Sequence, residues 1–177
     1  MNTSTSPLAR PFPELPAIDG ALPRVARARY KAWDRADLTL ITLDAGTAVA
    51  GVTTQSKCPS PEVEWCRAHL PAGHARALVV SAGNANAFTG HRGRAAVDAI
   101  TTKIASHLGC PAKEIFVSAT GVIGVPLPID KAEAGLELAF SADPCGWADV
   151  AAAISTTDTF PKGAVTQAVI GGRTVTL

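Results

Sequence analysis

The sequence predicts a mixed α/β fold in a single domain. Its 177 residues suit one domain, and short apolar, β-branched runs alternate along the chain with segments of helical periodicity. Two pairs of runs are joined by short glycine-containing turns, which is typical of β-hairpins. Because hairpins pair strands antiparallel, the sheets are predicted to be mixed rather than doubly wound. We therefore treat residues 1–177 as one α+β type domain.

The first part of the chain predicts an extended arm followed by a hairpin. Residues 1–23 are rich in Ser, Thr and Pro, which favours an arm that packs on the rest of the protein. The basic segment 25–31 predicts a short strand or turn. Residues 38–43 predict a strand, residues 44–46 a three-residue hairpin loop with its glycine at the position that tolerates positive φ, and residues 47–54 the returning strand.

Two helices are marked by their end signals. Ser60 is a suitable N-cap for a helix with Pro61 at its first position. A longer helix ends at Gly109, with Pro111 following. Apolar residues recur at helical spacing on both helices: Val63, Cys66 and Leu70 on the first, and Val97, Ile100, Ile104 and Leu108 on the second.

Two short strands precede polar loops. Residues 75–81 predict a buried strand, followed by a Gly/Asn-rich loop at 82–90. Residues 115–118 predict another strand, after which the small residues Ser118 to Gly124 predict a tight turn.

The last third of the chain predicts two helices and a hairpin. Asp130 and Glu133 resemble a capping box for a helix that runs to about Phe140, and residues 147–154 predict a further helix. A β-hairpin is predicted from alternating polar and apolar residues on both sides of a Gly-Gly turn, at 164–170 and 173–177.

Composition argues against several classes of function. Charged residues make up 18% of the chain, below the usual ~25%, and the net charge is +1. Without a Lys/Arg cluster, nothing favours nucleic acid or an anionic membrane as partner. The four cysteines lack metal-binding spacing, and Cys66 is predicted to be a small buried hydrophobe. No signal peptide or ~20-residue apolar run is evident, so a cytoplasmic protein is expected.

Three polar loops are candidate sites, and local chemistry leaves each open. At the predicted turn, the Thr120 hydroxyl and the Gly121 amide are adjacent donors suited to a developing oxyanion, but small residues are also ordinary turn formers. The 82–90 loop lacks a nucleotide-binding pattern, so a phosphate cradle competes with a packed loop whose asparagines bond their own backbone. The run Thr156 to Thr159 suits either a polar substrate clamp or local caps. The four histidines have no partners at telling spacing, so neither a catalytic triad nor a metal site is predicted.

Five motifs, taken together, resemble one family. In this order and spacing they are similar to the α chain of the ornithine acetyltransferase (glutamate N-acetyltransferase) family of arginine biosynthesis, over about Phe12 to Leu177. The motifs are Ala50-Gly51-Val52-Thr53-Thr54, Cys58-Pro59-Ser60 with Val63-Glu64-Trp65-Cys66, Gly83-Asn84-Ala85-Asn86-Ala87-Phe88-Thr89-Gly90, Ala119-Thr120-Gly121-Val122-Ile123-Gly124 and Thr156-Thr157-Asp158-Thr159-Phe160-Pro161-Lys162.

The resemblance implies an α/β sandwich with mixed sheets between helical layers, whose core is shared with a β chain. It implies acetyl transfer from N-acetylornithine to glutamate, with acetyl-coenzyme A as a possible further substrate and with no cofactor or metal. The precursor is expected to cleave itself into chains that form an α2β2 assembly. The threonine freed at the start of the β chain attacks the acetyl carbonyl and forms an acetyl-enzyme.

The resemblance also implies roles for particular residues. Thr120 and Gly121 would form the oxyanion hole through hydroxyl and backbone amide, and Thr156 would bind substrate. The family's substrate lysine and nucleophilic threonine lie beyond the C-terminal hairpin, in a part that is not in this sequence, and Lys162 belongs to a different motif. The isolated chain is therefore expected to be inactive. The alternatives are a non-catalytic small-molecule-binding module and a structural partner whose exposed hairpin adds to another sheet.

Overall fold

The computed structural model describes residues 5–177, which form a four-stranded mixed sheet, four helices and a separate hairpin. Along the sheet, the first two strand pairs are antiparallel and the third is parallel. The strands are β1 (Ala21–Ala26), β2 (Leu38–Leu43), β3 (Ala77–Asn84) and β4 (Ile115–Val122), adjacent in that order, and β5 (Gln167–Ile170) pairs with β6 (Arg173–Thr176). The helices are α1 (Pro61–His69), α2 (Gly90–Leu108), α3 (Ile129–Ser141) and α4 (Trp147–Ile154).

The mixed α/β architecture and the C-terminal hairpin are confirmed, but the first predicted hairpin is wrong. Residues 47–54 form no strand, and Ala48 makes only an isolated bridge to His74. The turn itself is present, since the Thr47 N–H donates to the Asp44 carbonyl at 3.2 Å. The returning segment does not pair with β2 because β1 and β3 already occupy both edges of that strand.

The N-terminal arm is shorter than predicted because β1 begins at Ala21. The preceding residues pack on the C-terminal half of the chain, where the Trp147 indole N–H donates to the Pro16 carbonyl at 3.0 Å. A Cβ at Gly163 would lie 2.7 Å from the ring of Phe12, so the arm is in close contact with the segment after α4.

The expected turn at Thr120 is wrong, since β4 continues to Val122 and β3 continues to Asn84. Thr120 pairs with Ala82, and Gly121 pairs with Gly83. Small residues on both strands let the two backbones run side by side at a point where the sequence suggested that the chain turns.

Helix ends differ from the prediction at α3. This helix begins at Ile129 after Pro128, so Asp130 lies inside the first turn and the capping box with Glu133 is absent. A related contact occurs instead at α4, where Asp149 Oδ2 accepts from the Gly146 N–H at 3.1 Å. Of the helices in the described part of the chain, none has the length and hydrophobicity needed to cross a bilayer.

The sheet is covered on both faces. One face packs against α2 and α3 through a buried cluster that includes Leu38, Leu40 and Ile104. α4 contacts β1, β2 and β3, and its buried residues Val150 and Ala153 lie outside that cluster. Because strand side chains alternate between faces, α4 covers the opposite face.

Candidate functional site

Gly121 lies where β4 makes a very close approach to β3. Its φ is 125°, a backbone conformation that side-chain-bearing residues adopt only with strain. A Cβ here would lie 2.4 Å from the carbonyl carbon of Gly83 and 2.5 Å from its oxygen. Glycine is therefore required at position 121, and its exposed main-chain amide has no side chain to shield it.

The outer edge of β4, which faces away from β3, is only partly covered by the rest of the chain. Along this edge the Trp65 indole N–H donates to the Ile115 carbonyl at 2.8 Å, and the Cys66 thiol lies 3.2 Å from the Val117 carbonyl. Both contacts involve the first three residues of β4, and Gly121 lies four residues further along the strand. α1 covers the start of this edge, whereas Gly121 is exposed.

The Asn-rich loop holds the chain that leaves Gly121. The Ala85 N–H donates to the Val122 carbonyl at 2.8 Å, and the Gly124 N–H donates to the Ala87 carbonyl at 2.9 Å. Two backbone hydrogen bonds thus join the end of β4 to the loop, and they fix the direction in which the strand ends.

The side chains of the loop reinforce this connection. Asn84 is 1% exposed and donates from Nδ2 to the Pro126 carbonyl at 2.9 Å. Asn86, which is fully buried, accepts at Oδ1 from the Leu127 N–H at 3.3 Å. The packed loop is therefore the correct reading of 82–90, except that these asparagines bond to the segment after β4 rather than to their own backbone alone.

Glu62 anchors the loop from α1, and its position as an acid in the first turn of that helix gave no sign of this role. It is 4% exposed, and its Oε1 accepts from Asn86 Nδ2 at 2.7 Å. Its Oε2 has no partner among residues 5–177. Burial raises the pKa of the Glu62 carboxyl, and the hydrogen bond from Asn86 offsets part of the rise.

This raised pKa predicts a pH-dependent stability. An unfolded glutamate ionises near 4.5, whereas the folded protein retains the Glu62 proton to higher pH. The unfolded state therefore binds fewer protons in this window, and the free energy of unfolding falls as pH rises through it. Each unit of elevation corresponds to about 1.4 kcal/mol. Glu62→Gln should remove this slope in urea unfolding from pH 4 to pH 8.

Glu64→Gln is the matched control, because Glu64 lies on the same helix in a solvent-exposed ion pair with Arg94. This variant should keep the wild-type slope and change stability by less than about 1 kcal/mol. A Glu62→Gln protein with the same slope as wild type would contradict the assignment.

Thr156 follows α4, and Arg35 fixes the C-terminal end of that helix. Its Nη1 donates to the carbonyls of Ala152 and Ala153 at 3.1 Å each, and its Nη2 donates to the Ser155 carbonyl. These are carbonyls that a helix end leaves without intrahelical partners. A single guanidinium thus determines where the chain continues toward Thr156.

The structure brings Thr156 to the same face and the same end of the sheet as Thr120. Arg35 lies just before β2, whose first residue, Leu38, pairs with Ser81 of β3. Ser81 in turn pairs with the residue before Thr120 on β4. Val117 belongs to the core cluster, and by strand alternation Thr120 faces the opposite side, which α4 covers.

Two strand spacings, about 10 Å, separate β2 from β4. Among residues 5–177 no hydrogen bond joins Thr156 to Thr120. The two threonines therefore lie near the same end of the sheet without a hydrogen bond between them. The sequence contained no signal for Arg35 as the residue that positions this arrangement, since it lies in an irregular segment of mixed charge.

A mixed sheet covered by helices, with a strand-borne Thr-Gly pair near the end of its last strand, defines an α+β fold. The ArgJ family model matches residues 24–177. The chain belongs to the ArgJ family, which confirms the resemblance inferred from the motifs.

Individual relatives and solved structures agree with this family. The chain is 58% identical over 176 residues to the arginine biosynthesis bifunctional protein ArgJ of Zymomonas mobilis, covering 99% of this chain and 43% of that protein. Its identity to the protein of that name from Bradyrhizobium diazoefficiens is 50% over 180 residues, again with 43% of the relative covered. The chain thus spans less than half the length of these relatives.

Two crystal structures share the fold. That of ArgJ from Bacillus halodurans has a TM-score of 0.77 at 27% identity and covers 90% of this chain and 84% of its own. That of ornithine acetyltransferase complexed with ornithine from Mycobacterium tuberculosis has a TM-score of 0.71 at 31% identity, covering 85% and 81%. The ornithine acetyltransferase-like fold predicted from the sequence is confirmed.

Proposed function

We propose that this chain is the α chain of a glutamate N-acetyltransferase, which moves an acetyl group from N-acetylornithine to glutamate in arginine biosynthesis. The observation that carries the proposal is the Thr120-Gly121 pair near the end of β4, where Gly121 is exposed and its close approach to Gly83 requires glycine. The names of its relatives, arginine biosynthesis bifunctional protein and ornithine acetyltransferase, support the same chemistry.

In this mechanism, Thr120 and Gly121 stabilise the charge that develops on the acetyl carbonyl oxygen. A threonine supplied by the β chain attacks the carbonyl carbon, and the carbonyl π electrons move onto oxygen. The Thr120 hydroxyl and the Gly121 N–H then donate to that oxyanion. Collapse of the intermediate breaks the C–N bond, the proton lost by the threonine hydroxyl passes to the departing amine, and ornithine leaves behind an acetyl-enzyme. In the second half-reaction the glutamate amine attacks this ester and the threonine hydroxyl regains its proton.

Rigidity of the donor pair is what makes it effective. Donors that are already oriented do not need to reorganise when charge develops, and this is the main source of such stabilisation. Gly121 is fixed by its close contact with Gly83. The hydrogen bonds of Asn84 and Asn86 to the following segment hold the end of β4 in place.

Thr156 is proposed to bind substrate at the same end of the sheet as Thr120. Its support is the shared face and end of the sheet, together with the Arg35 hydrogen bonds that hold the end of α4. No metal or cofactor takes part in the proposed steps, and acetyl-coenzyme A is a possible second acetyl donor.

The partner is proposed to be a β chain cleaved from the same precursor, in a cytoplasmic α2β2 assembly. The length of the relatives supports this, because this chain covers 43% of them and the remainder would supply the nucleophile. In this proposal the chain 1–177 is one unit with an N-terminal arm, and the β chain completes the core.

The direct test is an acetyl-transfer assay on the complete protein, with N-acetylornithine and glutamate as substrates and released ornithine as the readout. We expect turnover from the complete protein and none from residues 1–177 alone. Turnover by residues 1–177 alone would contradict a nucleophile outside this chain. A folded complete protein that releases no ornithine would contradict the proposed reaction.

A further inference from the structure

We propose that a cationic cleft beside β3, lined by Arg29, Lys31 and Lys131, binds a small multivalent anion. The cleft has a volume of about 450 Å³, and its wall also contains Trp33. The expected ligand is a molecule that carries two or more phosphate or carboxylate groups. A link between the cleft and the catalytic site rests on the proposed function, whereas anion binding by the cleft does not.

Cationic side chains outnumber acidic ones in the wall of the cleft. A fourth cation, Arg27, is paired with Asp34, the acidic residue in the wall. In the part of the chain that the structure describes, Arg29, Lys31 and Lys131 make no ion pair with a carboxylate. Three cations without a salt-bridge partner thus line one cleft in a protein whose overall net charge is +1, and such a concentration of like charge attracts anions.

A buried carboxylate holds the cleft loop in one conformation. Asp37, 1% exposed, accepts from the N–H groups of Ala28 at 2.7 Å, Arg29 at 3.2 Å and Tyr30 at 2.7 Å. These three hydrogen bonds to one carboxylate fix the backbone of residues 28–30, which carries Arg29 and leads to Lys31. Lys131 adds a contact from α3, donating to the Arg29 carbonyl at 2.7 Å.

The backbone at Arg29 is strained. Its φ is 58°, in the left-handed region that costs an ordinary residue about 1–2 kcal/mol. Glycine would adopt this conformation at no such cost, yet this position presents an exposed guanidinium. A strained residue held in place by its surroundings is characteristic of binding sites, and here the strain directs a cation into the cleft.

The cleft adjoins the proposed oxyanion site through Gly83. A Cβ at Gly83 would lie 3.2 Å from Lys31 Cγ, so the Lys31 stem packs over that glycine. On its other side Gly83 is in contact with Gly121. Gly83 therefore lies between the cationic cleft and the residue whose amide is proposed to bind the oxyanion.

Two sources fit this chemistry, a phosphate-bearing substrate and a dicarboxylate such as glutamate. The shared feature is a multivalent anion, since arginine and lysine side chains bind both groups through charge-assisted hydrogen bonds. The volume of the cleft exceeds that of a single carboxylate and leaves room for either source.

The test compares anion binding by the complete protein with that by two variants. Arg29→Gly removes the charge and suits the positive φ, and Lys31→Met keeps the stem over Gly83. Calorimetric titration with inorganic pyrophosphate measures the first source, and titration with glutamate measures the second. For the ligand of the cleft, each variant should raise Kd by on the order of tenfold, and added salt should weaken wild-type binding.

Lys113→Gln is the control, because this exposed lysine precedes β4 at the end opposite to Gly121. It should bind as wild type does. A rise in Kd for pyrophosphate alone supports a phosphate-bearing ligand, and a rise for glutamate alone supports a dicarboxylate. If neither anion binds, or if Lys113→Gln weakens binding as much as the cleft variants, the proposal is overturned.

Binding is measured without turnover, so its outcome is separate from that of the acetyl-transfer assay. An inactive protein whose pyrophosphate binding depends on Arg29 and Lys31 would retain the cleft and reject the proposed reaction. An active protein whose two variants bind anions as wild type does would support the proposed reaction and contradict the anion-binding cleft.

Discussion

Thr120→Ala is expected to lower kcat for acetyl transfer by about two to three orders of magnitude, with a much smaller change in KM. The reason is that its hydroxyl is proposed to donate to an oxygen that carries full negative charge only in the transition state. Losing one such donor costs about 2.7–4 kcal/mol of transition-state stabilisation. Steady-state kinetics of the complete protein with N-acetylornithine and glutamate give both constants.

Two variants control for structural damage. Thr120→Ser keeps the hydroxyl and should retain most of kcat. Ser118→Ala removes an exposed hydroxyl two residues earlier on the same face of β4 and should have little effect. If Thr120→Ala loses no more activity than Ser118→Ala, Thr120 is not an oxyanion donor.

Gly121→Ala is expected to lower the free energy of unfolding by about 3–5 kcal/mol and to abolish acetyl transfer. The added Cβ would overlap the Gly83 carbonyl at 2.4 Å, and the φ of 125° is unfavourable for alanine. Because the obstacle is backbone rather than a flexible side chain, the strands must separate. Forced changes of this kind lie at the severe end of mutational effects. Chemical unfolding of wild type and variant measures the difference.

Gly124→Ala separates crowding from backbone conformation. Gly124 also has a positive φ of 79°, but a Cβ there would meet no atom within 4 Å. Its substitution should cost only the ~1–2 kcal/mol of a left-handed residue. Equal destabilisation by the two variants would show that the approach to Gly83 is not what requires glycine at position 121.

Much of the fold followed from local patterns. α2 was predicted because its apolar positions, from Val97 to Leu108, recur over about three turns and its Gly109 C-cap is unambiguous. The β5–β6 hairpin was predicted because a Gly-Gly turn suits a two-residue loop. In both cases the deciding interactions are close in sequence, so short-range chemistry was sufficient.

The errors arose where distant segments compete for the same strand. Residues 47–54 have strand composition, but β2 already pairs with β1 and β3, which come from sequence positions on both sides of it. The Thr120–Gly121 pair has turn composition, but its small residues instead permit a close parallel pairing with Ala82 and Gly83. Pairing partners are long-range information that residue type does not encode.

The candidate site shows the same division. The motifs identified Thr120, Gly121 and Thr156, and the structure adds how they are held. Glu62 and Arg35 act through contacts with residues far along the chain, Asn86 in one case and the end of α4 in the other. Neither has a pattern that distinguishes it from the many solvated charges of an ordinary surface.

The most direct test of the central claim is the rate of acetyl-enzyme formation in a single turnover. Complete wild-type and Thr120→Ala proteins are mixed with excess N-acetylornithine, quenched at intervals and analysed by intact mass for the acetylated species. The account predicts acetylation slowed by about two to three orders of magnitude in the variant, with saturation at a similar substrate concentration. Acetylation of Thr120→Ala at the wild-type rate would contradict it.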